Sequence, residues 1–142
     1  MTISDLFSTG LHKQNTGHYA TIVRLALLDG IISKKELKLL KKLAKRLDIS
    51  KSECKEILKN PSKFPVNPPV SYDERLERLY DLTRMLFMDR NPTIDKVSMM
   101  NRISIGLGFP VESAVNIVQS SIKFFLKEPD IEDFKKAIKA SN

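Results

Sequence analysis

The stretch LLDGIISKKE, residues 27–36, sets two carboxylates and a glycine at a spacing that could serve a cation. With Asp29 at position five of a calcium loop, Gly30 falls at six, Ser33 at nine and Glu36 at twelve. Calcium takes six to eight oxygens, and such a loop draws its leading carboxylates from positions one and three. Leu25 and Leu27 stand there and supply none, so a self-contained calcium loop is not expected. The same residues also read as a turn between helices. Gly30 ends one helix in the left-handed conformation, Ser33 and Glu36 form a capping box for the next, and Ile32 packs beneath the turn.

A second chemistry lies just downstream. In SKKELKLLKKLAKRL, Leu37, Leu40, Leu43, Ala44 and Leu47 recur at helical spacing on one face. Lys34, Lys38, Lys41, Lys42 and Lys45 occupy the other. A helix of this kind could lie against phosphates, an anionic membrane or an acidic protein, and it also reads as an ordinary solvated amphipathic helix. Few aromatics interleave with the lysines and no DNA-binding fingerprint accompanies them, so specific nucleic-acid recognition is not expected.

Catalysis has little to build on. His12 and His18 are six residues apart, which places them on different faces of a helix, and surface or local structural roles are expected of both. Cys54 falls on the apolar side of its segment and is expected to be a buried thiol. Met85, Met88, Met99 and Met100 read as core fillers. No zinc signature, Ser–His–Asp order or phosphate-cradling glycine loop is recognisable. The chain is expected to work by binding and not as an enzyme.

The elements that position these residues are helical throughout, with no alternating strand pattern. A polar amino-terminal arm, 1–13, leads to a mostly buried helix ending at Gly30. Capping signatures at Ser33/Glu36 and Ser50/Glu53 open helices reaching about residues 47 and 59. Residues 60–70 carry four prolines and form an extended connection, packed through Phe64. Ser71/Glu74 open a helix to about residue 89, and Thr93 caps one to about 106. Pro110 suits the first turn of a helix to about 126, and a last helix occupies 130–142.

At 142 residues the chain has the length of one domain, and folding at that size buries roughly 68–70% of the unfolded surface. A single cysteine excludes an internal disulfide and fits a reducing, cytoplasmic setting. No apolar run reaches membrane-spanning length, and residues 1–10 lack the pattern of a signal peptide. The formal charge of +7 is confined to residues 33–63, where eleven Lys or Arg meet four Asp or Glu; the remainder holds thirteen of each sign. Local field of this kind, more than total charge, attracts an anionic partner.

Shifted by 60 residues, 21–58 lies over 81–118 without a gap. Arg24 meets Arg84, Asp29 meets Asp89, Leu47 meets Leu107 and Ile57 meets Ile117, while Ser33 falls on Thr93. The expected fold is therefore all-α, about seven helices, with two pseudo-symmetric three-helix halves and a carboxy-terminal helix in one domain.

The segments ALLDGIISKKELKLLKKLAKRLDISKSECKEIL and LFMDRNPTIDKVSMMNRISIGLGFPVESAVNIV resemble the two repeats of the TerB-like family, named for tellurite-resistance proteins. A helix ending in Asp-Gly, a capped helix opening on an acid, and L-x-I-S-x-x-E carry the likeness over residues 16–126. The resemblance implies a non-catalytic cytoplasmic module of stress or metal-ion response with an unidentified protein partner. It also implies a divalent cation as cofactor, on Asp29, Glu36 and Asp89, with Asp95 a weaker addition. Gly30, Ser33 and Thr93 would shape the turns. Arg90 and Lys96 depart from this pattern, standing where the first half has Gly30 and Glu36. Arg24 and Arg84 offer an alternative in which each Asp pairs with an arginine, and an Asp so held is not free for a cation.

Overall fold

The computed structural model of the chain describes residues 3–88 and 92–141, and every regular element among them is helical. Seven α-helices divide between two compact units, Met1–Asn67 and Pro68–Asn142. The boundary falls inside the proline-rich connection between the two halves.

In the first unit, α1 (Ile3–Ala26) passes into a 3-10 turn (Leu27–Asp29), followed by α2 (Lys34–Arg46), α3 (Lys51–Lys59) and a second 3-10 turn (Pro61–Lys63). The expected polar arm is thus the opening of a 24-residue helix. No proline interrupts residues 3–26, and extending an existing helix costs far less than nucleating one. From His18 to Ala26 the helix is buried on nearly all sides, with Tyr19, Ile22, Val23 and Leu25 facing inward alongside Thr21, whose hydroxyl donates to the Gly17 carbonyl at 2.8 Å. α1 packs against α2, α3 and the second 3-10 turn. The connection expected to be wholly extended therefore begins with one tight turn, where Pro61 occupies the first position and needs no donor.

The inward face of α2 is Glu36, Leu39, Leu40, Leu43 and Ala44. Leu37, expected in the core, is instead exposed, and Leu47 is only half-buried. The leucine run allowed two registers, and packing on α1 selected the one centred on Leu43. Both expected capping boxes are complete: Ser33 and Ser50 accept from the amides of Glu36 and Glu53, whose carboxylates accept in return from the serine amides at 3.0 Å.

The second unit comprises α4 (Tyr72–Leu86), α5 (Ile94–Gly106), α6 (Val111–Phe125) and α7 (Ile131–Ser141). α6 touches α4, α5 and α7 and so forms its spine. Leu76, Leu79, Leu82, Met85, Met100, Leu107, Val118, Phe134 and Ile138 make the core. Three expectations shift here. Ser71 accepts from the Glu74 amide at 3.1 Å, but the expected box is not returned by Glu74. α4 stops at Leu86, short of residue 89. Pro110 is the N-cap of α6 and not part of its first turn.

The 60-residue offset holds in the backbone of each unit. α1 and α4 end at Ala26 and Leu86, α2 and α5 share bounds sixty apart at both ends, and α3 and α6 begin at Lys51 and Val111. Ser33 and Thr93 cap in the same way. The exits of α2 and α5 also match. Ile49 donates to the Ala44 carbonyl at 2.9 Å and Phe109 to the Ser104 carbonyl at 3.1 Å, closing the same six-residue turn. Its left-handed position holds Asp48 (φ 56°) in one half and Gly108 (φ 105°) in the other.

Candidate anionic-partner surface and the Asp29 turn

With Glu36, Leu39, Leu40 and Leu43 turned inward, helical geometry decides where the lysines go. At 100° per residue, Lys34, Lys38, Lys41 and Lys45 stand in a nearly straight row along the solvent ridge of α2, spanning about 16 Å. Lys35, Lys42 and Arg46 flank the row on one side and Leu37 on the other, and all are exposed. Lys51, Lys55 and Lys59 of α3 are exposed as well, a further set of cations in the same unit beyond the five lysines singled out from sequence. Unit by unit, residues 1–67 carry thirteen Lys or Arg against six Asp or Glu, and residues 68–142 eleven against eleven. The entire excess of +7 belongs to the first unit.

The Asp29 turn has a different character. Gly30 (φ 88°) donates to the Leu27 carbonyl at 2.8 Å and closes the 3-10 turn, a conformation an L side chain rarely takes. Leu28, Asp29, Gly30 and Ile31 are all exposed, so the turn projects an aspartate framed by two apolar residues. Glu36 does not join them at the surface. It is 1% exposed, and its Oε1 accepts the Ser33 amide at 3.0 Å. Its residue type and spacing serve the cap, which already uses one carboxylate oxygen.

Asp89, with Arg90, lies outside the described residues. Asp95 is exposed in the first turn of α5. Lys96, the counterpart of Glu36, is likewise buried. Arg24 and Arg84 are both half-buried. Among the described residues, no group of three or more His, Cys, Asp or Glu is arranged to hold a metal ion.

The histidines and the cysteine separate. His12 pairs through Nε2 with Glu53 Oε2 at 2.5 Å, tying α1 to the start of α3, whereas His18 is buried. The pair was not read from sequence, because the residues lie 41 positions apart. The Glu53 carboxyl sits below the usual glutamate range, chiefly through the Ser50 amide and then through His12. Cys54, expected to be buried, is half-exposed and touches the Tyr19 phenol. Burial first, and that contact second, push Tyr19 well above an ordinary phenol. Met85, Met99 and Met100 are core residues as expected, and Met88 is half-buried.

No helix among the described residues is long and apolar enough to cross a membrane. No protein-family model, curated protein or solved structure matches the chain.

Proposed function

We propose that this chain is a non-catalytic binding module whose working surface is the basic face of α2, continued onto α3, and whose partner is anionic. One observation supports the reading. The repeat supplies an internal control, because the same helices are built twice. Lys34, Lys35, Lys38, Lys41, Lys45, Lys51, Lys55 and Lys59 are exposed. Their counterparts sixty residues on are Ile94, Asp95, Ser98, Asn101, Ile105, Val111, Val115 and Gln119, nearly all exposed too and none basic. On these two helices only Lys42 faces a basic counterpart, Arg102. The scaffold requires exposure at these positions but does not require lysine, so solvation alone does not account for so many cations on these two helices. Partner attraction does.

Replacing Lys38, Lys41 and Lys45 together with Gln should weaken binding to heparin-agarose and lower the salt concentration that elutes the protein. The dependence of affinity on salt should also flatten by about one counterion per charge removed. Each substituted side chain is exposed, so helicity should be unchanged. An elution profile indistinguishable from wild type would defeat the reading.

A second reading, the TerB-like divalent-ion module of a cytoplasmic stress response, is favoured by the exposed Asp29 beside the left-handed Gly30. It is also consistent with the helix bounds that recur at sixty residues. Within the first unit Asp29 is its exposed carboxylate, and Glu36 would have to combine ligation with capping. Titration of metal-stripped protein with calcium, magnesium, manganese and zinc should then give saturable heat that Asp29→Ala abolishes. Heat absent from both proteins removes this reading.

A further inference from the structure

Resting on the anionic-partner reading, we propose that the partner of α2 is the surface of an anionic phospholipid bilayer, with the Leu28–Ile31 turn as an apolar anchor. The row of lysines alone would suit any polyanion. What distinguishes the bilayer is the apolar surface beside it. Ile31 is 80% exposed, and Leu28 and Leu37 are exposed at 39% and 40%. Leu28 and Ile31 bracket the turn that leads into α2, and Leu37 borders the lysine ridge along its flank. Isoleucine and leucine at a projecting tip gain nothing from phosphate in water, but they gain transfer free energy from the acyl boundary beneath a layer of headgroups. Lysines immediately alongside hold the anionic headgroups.

The features that nucleic acid would use are missing from this surface. Six lysines and one arginine make up the basic face of α2, so point charges outnumber planar guanidinium forks. No aromatic residue belongs to α2 or to the turn before it, so the ridge offers no stacking platform for bases. The inward face of α2 is committed to the core, so α2 does not lie in the bilayer by its own apolar side. Attachment is therefore peripheral: the turn inserts and the ridge rests on the headgroups.

The test is co-sedimentation with sucrose-loaded vesicles of phosphatidylcholine alone and of phosphatidylcholine mixed with phosphatidylglycerol. Heparin binding is measured beside it for wild type, Ile31→Ser and the Lys38→Gln/Lys41→Gln/Lys45→Gln variant. Wild type should sediment with the mixed vesicles and remain largely in solution with phosphatidylcholine. Ile31→Ser should bind the mixed vesicles roughly tenfold more weakly, from the lost transfer of one large aliphatic side chain, with heparin elution unchanged. The lysine variant should lose both activities. If wild type binds heparin and short duplex DNA but ignores mixed vesicles, or if Ile31→Ser binds them as tightly as wild type, the bilayer proposal is overturned while the anionic-partner reading stands. If the lysine variant matches wild type on heparin and vesicles alike, both fall.

Discussion

Phe134→Ala should lower the unfolding free energy by about 3–5 kcal/mol, the usual cost of emptying a buried aromatic site. Phe134 is fully buried, and its ring meets Tyr80 edge-on with centroids 5.3 Å apart. Tyr80 in turn lies against Phe125 and donates through its hydroxyl to the Pro129 carbonyl at 3.1 Å. The cavity therefore opens where α7 meets α4, among rings too large and too constrained to collapse into it. The ion pairs along the same junction contribute much less. Lys139 meets Asp73 at 2.6 Å and Lys135 meets Glu77 at 2.9 Å, but Asp73, Glu77 and Lys139 are all substantially exposed. Urea unfolding followed by circular dichroism should show a large fall in midpoint for Phe134→Ala and a small one for Lys139→Ala. A Phe134→Ala cost below about 1 kcal/mol would mean that α7 is not part of the cooperative core.

Gly17→Ala and Gly10→Ala should move stability in opposite directions although both lie in α1. A β-carbon on Gly17 would stand 2.4 Å from the Pro65 carbonyl oxygen, a backbone atom in a segment stiffened by Pro68 and Pro69. Relieving that overlap means displacing α1 or the connection, a change of the kind that costs about 1–3 kcal/mol. Alanine's better helix propensity returns about 1 kcal/mol, so the net effect should be a loss. At Gly10 nothing lies within 4 Å of the added methyl. Alanine there should raise stability by about 0.4–1 kcal/mol by restricting the unfolded chain. Thermal melts of the two variants decide the matter; equal shifts would show that the Gly17 approach is not maintained in solution. Gly17 thus has a packing reason to be glycine, and Gly10 does not.

Local chemistry was largely legible. Ser33 with Glu36 and Ser50 with Glu53 each form a complete capping box, because a cap involves groups three residues apart and needs no distant partner. Gly30 takes the left-handed conformation expected of a glycine after a helix. The all-helical character and the sixty-residue offset were also readable, since periodicity and turn residues recur along the chain. The Ser71/Glu74 signature shows the limit of such patterns: the same spacing delivered one of its two bonds.

The surface site was half legible. Sequence alone identified Lys34, Lys38, Lys41, Lys42 and Lys45 as one face, because helical spacing places them. It placed Leu37 on the apolar face and left Leu39 out, although both fit an apolar stripe. Contact with α1 chose Leu39, leaving Leu37 beside the lysines. Exposure of Leu28 and Ile31 likewise depends on where the turn comes to rest, which no short spacing encodes.

Several outcomes belonged to tertiary structure alone. Helix α1 absorbed the expected amino-terminal arm, with His12 held by Glu53 across 41 residues, a pairing with no local signal. Glu36, whose cap was readable from spacing, became buried when α2 docked. The amino-acid sequence by itself determined the helices, their caps, the repeat and the placement of charge, because these arise from interactions within a few turns. Which leucines are core, which carboxylate is buried and which glycine is closely approached were decided by long-range packing, where residues distant in the chain compete for the same buried space.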